Sequence, residues 1–425
     1  MNERTGLLAQ YRGLRKEIYV LCFGRVVTNL GAMVWPMLTM ILSQKMGLDA
    51  SSIALLMVVA TCIIMPANLL GGRLADRCNK KTIIVCCDCV SVAGYVACAL
   101  LPLGYGTIAL MLLAGILQGM EQPAYNALTA DLTATRDRER AYSLLYLCGN
   151  LGLVLSPTIA GILFKDYLWL SFLISGLAIG CSTVLIFCFI RNIAPEPDES
   201  EEAVYQKGHD KESLWKILRG NRLVVLYLVI TALYFAAYGQ YNFLMPLDMG
   251  RVHGAGGAVI FGTVSSLNCL VVVLFTPFLT RLFRRMPETK KLLTGICLVM
   301  AGYLLFLLLL GYVPIYYLAM LLFTWGEIFC TVAEGPYLTS RIPASHRGRI
   351  NGLSSVIGAV IGGVGDFAVG RVYDTAGSRS AWTLVLSLLG VAAILCAALI
   401  LRDRRAYPKL YAARENGPEQ NGIRS

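Results

Sequence analysis

The chain has 425 residues, 56% of them hydrophobic and only 15% charged, with mean hydropathy +0.63 and a formal net charge of +11. A water-soluble domain carries about a quarter charged residues, so this composition excludes one and points to a bilayer. The basic excess follows from the bias of Lys and Arg toward one membrane side, and no nucleic-acid partner is implied.

Apolar runs long enough to cross a hydrocarbon core about 30 Å thick recur along nearly the whole sequence. They predict an all-α membrane protein of twelve transmembrane helices, at 17–43, 52–73, 82–103, 105–128, 141–164, 167–191, 222–247, 257–283, 290–311, 313–338, 349–371 and 381–402. The first run lacks a small-residue cleavage site and leads into further spans, so it reads as a retained helix rather than a signal peptide. Of the 37 Lys and Arg, only Lys45, Lys165, Arg251, Arg371 and Arg379 fall in the alternate loops, and Arg25 lies inside the first span. That asymmetry predicts a multi-pass protein of the cytoplasmic membrane with both termini cytoplasmic.

The first span carries Arg25 a third of the way along, and Trp35 and Pro36 near its end. The second ends in "GGRLADRCNKK", Gly71 to Lys81, where an Asp sits among four cations. Positive-inside bias accounts for the cations and gives no reason for Asp76. "CCDC" at Cys86 to Cys89 lies within the third span with no second pair or nearby His, so metal or redox chemistry is not expected. The fourth span carries Glu121 two residues before a Pro. In the fifth, Gly149, Gly152, Ser156, Ala160 and Gly161 form a small-residue face that permits close helix approach, and Pro157 removes a helical hydrogen bond.

Between 192 and 221 the sequence turns polar and acidic, and ends in the amphipathic stretch Leu214 to Arg219. It divides the chain into a six-helix bundle at 1–191, a cytoplasmic linker, and a second bundle with a cytoplasmic tail at 222–425. The halves resemble each other: "EQPAYNALTAD" from Glu121 recurs as "EGPYLTSR" from Glu334, and Pro36 matches Pro246. In the seventh span Tyr234, Tyr238 and Tyr241 share a helical face beside Gln240. The tenth carries Trp325, Glu327 near its centre and Glu334 toward its end. The eleventh holds Gly358, Gly362, Gly363, Gly365 and Asp366.

The loop Gly72-x-Leu74-Ala75-Asp76-Arg77-x-Asn79-Lys80-Lys81 resembles the signature loop of the major facilitator superfamily, with Asn79 where Gly is usual. "NALTADL" from Asn126 and the run following Arg138 resemble the fourth-to-fifth helix region of its bacterial drug:proton antiporter branch. Gly152-x-x-x-Ser156-Pro157-x-x-Ala160-Gly161 is a softened form of that branch's antiporter motif. The resemblance implies two pseudo-equivalent bundles with a substrate path near the midplane. It implies a conformational latch at Gly72, Asp76, Arg77, Lys80 and Asp131, in which the loop Asp faces a helix N-terminus. It also implies packing of the fifth helix against the eighth. One departure matters: where the branch has an Arg in the fourth helix, this chain reads Gly115-Ile116-Leu117-Gln118-Gly119, so any proton relay uses other groups.

Ionisable residues inside spans are costly and usually line a water path or pair. Arg25, Asp88, Glu121, Glu327, Glu334 and Asp366 are the candidates, and all but Asp88 are taken as proton or substrate groups. Glu327 is the first choice for a protonating or cation-binding group, pairing with Arg25 being the structural alternative. Glu121 and Glu334 equally fit a role as interfacial caps. Trp35, Tyr234, Tyr238, Gln240, Tyr241 and Trp325 are expected at the substrate cavity, where aromatic faces and an acid suit lipophilic cations.

No Gly-x-x-x-x-Gly-Lys-[Ser/Thr], His-Glu-x-x-His or Gly-x-Ser-x-Gly occurs, and there are three His, so an ATP-driven pump and a hydrolase are not expected. The chain reads as a secondary transporter of an amphipathic or drug-like small molecule, proton-coupled and exporting, without cofactor or metal, acting as a monomer in the lipid bilayer. The alternative is a metabolite, anion or lipid transporter on the same scaffold, with Arg25 binding an anionic group.

Overall fold

A computed structural model describes residues 11–133, 137–190, 219–283, 285–341, 347–408 and 411. Among them there is no strand, and the long apolar runs form helices because a backbone in lipid must satisfy its own hydrogen bonds. The first half holds α1 (Lys16–Leu30), α2 (Val34–Met40), α3 (Ala50–Arg77), α4 (Lys80–Leu100), α5 (Tyr105–Asp131), α6 (Arg138–Leu153), α7 (Ser156–Leu163) and α8 (Leu168–Phe189). The second holds α9 (Arg222–Tyr238), α10 (Leu244–His253), α11 (Gly256–Leu282), α12 (Glu288–Leu308), α13 (Val313–Arg341) and α14 (Arg347–Ala406).

Ten helical segments among the described residues are long and apolar enough to cross a membrane. The difference from twelve has two sources. α5 is 27 residues long but carries Gln118, Glu121, Gln122 and Asn126, which dilute its hydropathy. α14 runs through Gly377 at φ 81°, a left-handed conformation that favours glycine, and the apolar runs at 349–371 and 381–402 lie on either side of it.

Three expected spans are broken. The first parts at Gly31 to Met33, so α2 begins just before Pro36, and it ends in a π-helical turn at Ile41–Lys45. The fifth parts at Val154–Leu155, leaving Pro157 in the first turn of α7, where its missing N–H costs nothing. The seventh parts at a 3₁₀ turn, Gly239–Tyr241, ahead of α10.

Contacts gather the chain into two compact units that follow the two halves except at two places: Ala50–Leu55 cluster with the second unit and Pro246–Leu270 with the first. Both exchanges have a local cause. The Asp374 carboxylate, from α14, accepts from Ala50 N at 3.1 Å, Ser51 N at 2.7 Å and the Ser51 hydroxyl at 2.5 Å. It thereby caps α3, whose own preceding residue, Asp49, makes no side-chain cap. In the first unit a Cβ on Gly161 would strike the Ala258 carbonyl and one on Gly262 the Pro157 carbonyl, so α7 and α11 meet backbone to backbone. The Thr158 hydroxyl bonds to Ser266 Oγ at 2.7 Å beside them. Elsewhere in that unit α4 packs on α5 and α8, and α1 on α6 and α8; in the second, α12 packs on α13 and α9 on α14.

Candidate functional site

The Gly71 to Lys81 turn closes tightly because Asn79 caps α4, its side chain accepting from Lys81 N at 3.0 Å and Thr82 N at 3.4 Å. Lys80 then meets Asp131, at the end of α5, at 2.7 Å, so two of the expected latch residues are joined. Arg77 is exposed, and the Asp76 side chain lies outside the described residues. The close approach falls one residue from the expected glycine: a Cβ on Gly71 would collide with the Met120 carbonyl, whereas Gly72 faces open space.

Two adjoining cavities lie inside the first unit. One, of about 410 Å³, is bounded by Arg25, Gln122, Tyr125, Tyr142 and Tyr146 among others. The other, of about 220 Å³, holds Trp35, Asp88, Tyr95, Gln118 and Glu121, and both share Arg25, Asn29, Gln122 and Tyr125. Gly115 makes room for the Trp35 ring, since a Cβ there would come within 2.8 Å of it. Tyr95, Trp35 and Gln118 lie together in this lining. Arg25 lines both cavities and makes no hydrogen bond or ion pair among the described residues. The amides around it are tied down: Asn29 donates to Gly149 O at 2.9 Å, Asn150 to Tyr146 O at 2.9 Å, and Gln122 to Asn126 at 3.2 Å.

The second unit gathers the seventh-span aromatics around the helix break. The Tyr238 hydroxyl donates to Glu327 Oε1 at 2.8 Å. Its ring stacks on Phe323 at 5.3 Å, and Phe323 also meets Tyr241 and Tyr303. Tyr303 donates to the Ala237 and Tyr238 carbonyls at 3.1 and 3.2 Å, next to the break, where regular helical bonding ends. Gln240 is fully buried and donates to Ala236 O and, at 2.6 Å, to Asp366. Tyr234 is buried beside Tyr238. Trp325 stands apart, packed on Phe275 in a separate apolar cluster, and half-buried Glu334 stands near Tyr227.

The small-residue face of the fifth span is divided between two partners. Gly152 admits Val26 O, 2.5 Å from where its Cβ would be, and so serves contact with α1; Gly161 serves contact with α11. Sequence reasoning missed Tyr303, the Asp374 cap and a buried ion pair between Arg341 and Asp403 at 2.5 Å. It noted Asp88 without a partner; the structure gives it the Thr183 hydroxyl, donating at 2.7 Å. Among the described residues no group of His, Cys, Asp or Glu could hold a metal ion. All 14 cysteines are free thiols.

Comparison with known proteins bears on this arrangement. The sequence pattern of the Major Facilitator Superfamily matches residues 21–366. The chain belongs to this superfamily. It is therefore a multi-pass membrane transporter and not an enzyme. Two superfamily relatives align over most of both chains. A "Na(+), Li(+), K(+)/H(+) antiporter" of Planococcus maritimus is 23% identical over 89% of this chain and 93% of its own. A "Multidrug resistance protein MdtH" of Yersinia pestis is 24% identical over 91% and 93%. The fold matches a POT family transporter crystallised with a thioalcohol-conjugated peptide, at TM-score 0.74 and 14% identity, over 92% of this chain and 96% of that one.

Proposed function

We propose that this superfamily member exports a small amphipathic molecule across the cytoplasmic membrane in exchange for protons, by alternating access of the bundles at 1–191 and 222–425, both termini being cytoplasmic. The observation that carries this reading is the pair of adjoining cavities in the first unit, where tyrosines and Trp35 supply apolar surface and Arg25, Asp88 and Glu121 supply charge at membrane depth. Such a lining fits a molecule with an apolar body and a polar end. The relatives, a multidrug resistance protein and a cation/proton antiporter by name, support exchange against protons.

In the cycle, Glu121 and Glu327 are the acids that exchange protons, and the Lys80–Asp131 contact biases the conformational equilibrium. A second reading is favoured by Arg25, which lines the larger cavity with no hydrogen-bond partner among the described residues. It suits an anionic metabolite taken up together with a proton. Membrane vesicles of defined orientation separate the two, the export arm being run in inside-out ones. A fluorescent lipophilic cation accumulating only under an acid-inside gradient supports export; accumulation of an aromatic carboxylate in right-side-out vesicles under an acid-outside gradient supports the second reading. Transport of either probe unaffected by collapsing the pH gradient contradicts proton coupling in both.

A further inference from the structure

We propose that Asp88 and Glu121 form one proton-binding unit, a carboxyl pair that holds a single proton between its two side chains and takes it from, and returns it to, water in the adjoining cavity. The residues come from neighbouring helices, α4 and α5, and line the same cavity. Their carboxyls lie close enough to interact directly. An ionised carboxylate has no hydrogen to donate, so a bond between two carboxyls exists only when one of them carries a proton.

Two further observations agree. Glu121 Oε2 is buried, and no donor among the described residues reaches it. A buried acceptor is ordinarily satisfied, and a proton shared with Asp88 satisfies this one. Asp88 is 4% exposed, and among the described residues its donor is the Thr183 hydroxyl, at 2.7 Å on Oδ2. The Thr183 hydroxyl has one hydrogen and two acceptors in reach, Asp88 Oδ2 and the Ile179 carbonyl at 2.8 Å, so it satisfies the Asp88 carboxylate only in part.

Charge fixes the number of protons. The groups that face the pair are Arg25 from α1, Cys87 from α4, Tyr125 from α5 and Thr183 from α8. Arg25 is the single cation among them and stands outside ion-pairing contact. One guanidinium balances one negative charge, which is a pair with one proton; two bare carboxylates in contact in a site this dry repel strongly. Loading therefore adds one proton to a doubly charged pair, and discharge returns it. The pair titrates as a unit rather than as two independent acids.

Only the use of this proton in transport rests on the exporter reading. The pair itself is tested without substrate or gradient, by infrared spectra of the purified full chain in lipid nanodiscs at neutral pH, in H₂O and D₂O. The expected result is one isotope-sensitive carbonyl band of a protonated carboxyl that is lost in Glu121→Gln and equally in Asp88→Asn. Each amide imitates the protonated partner and donates to the carboxylate that remains. The double variant loses no more than either single one. Thr183→Ala keeps the band and shifts it, and stands in for Asp88→Asn if that variant does not fold. Overturning results are loss of no band in Glu121→Gln, which leaves both acids ionised, or losses that differ between the single variants and add in the double, which makes them separate acids. A band that behaves as expected in a protein whose transport ignores pH would refute the exporter reading and leave the pair standing.

Discussion

Arg341 and Asp403 form the best-satisfied charged contact among the described residues. Arg341 Nε donates to Oδ1 at 2.9 Å and Nη2 to Oδ2 at 2.5 Å, the two-pronged geometry suited to a guanidinium and a carboxylate. The Tyr337 ring lies 3.9 Å from the guanidinium carbon, and Tyr411 donates to Oδ2 at 2.8 Å. Because both partners are buried, removing one leaves a charge with neither water nor counter-ion. Asp403→Asn is expected to cost about 3–5 kcal/mol, read as a lower melting temperature in lipid, whereas Arg341→Met with Asp403→Leu recovers most of it. An Asp403→Asn melt equal to that of the parent would show that water reaches the pair. At Glu327 the expectation has the opposite form. Gln at this position still accepts from Tyr238, so folding and expression hold, but it cannot exchange a proton, and gradient-driven transport should stop. Full transport with normal pH dependence in Glu327→Gln would make the Tyr238 contact its whole role and leave coupling to Glu121.

At the level of helices, the glycines divide into two kinds that composition cannot separate. Gly161 and Gly262 sit where any Cβ meets a backbone carbonyl, while Gly358 and Gly362 face open space. Gly161→Leu or Gly262→Leu should cost at least the ~1–3 kcal/mol typical of overpacking, seen as lost expression or a lowered melt. Gly358→Ala and Gly362→Ala should be tolerated, and equal behaviour of all four would refute the backbone contact. Asp374→Ala removes the three bonds that cap α3 and should destabilise by about 0.5–2 kcal/mol, with Asp374→Asn in between. The spans themselves were legible, because an apolar run of this length has few other uses. So was the packing of the fifth span on the eighth, through the superfamily resemblance, seen where Gly161 meets Ala258. The breaks at Gly31 to Met33 and Gly239–Tyr241 were not, since hydropathy runs through them unchanged. Nor were the pairings of Asp374 with Ser51, Arg341 with Asp403, or Asp88 with Thr183. Helical periodicity tells which face a residue is on and not which helix lies opposite.

For the molecule as a whole, orientation follows from the distribution of its cations. The Lys and Arg distribution predicts that residues 195–212 and the C-terminal tail stay cytoplasmic, so protease added to intact cells should not cut there, and cleavage within that window would reverse the topology. The central claim is that proton movement drives transport through acids in the cavities of the first unit. Its most direct test is proteoliposome transport of a fluorescent lipophilic cation under an imposed pH gradient, comparing the parent chain with Glu121→Gln at equal reconstitution. The account predicts uptake that follows the gradient in the parent, stops when an ionophore collapses it, and is lost in Glu121→Gln while the probe still binds. Gradient-driven uptake at parental rate in Glu121→Gln would contradict it.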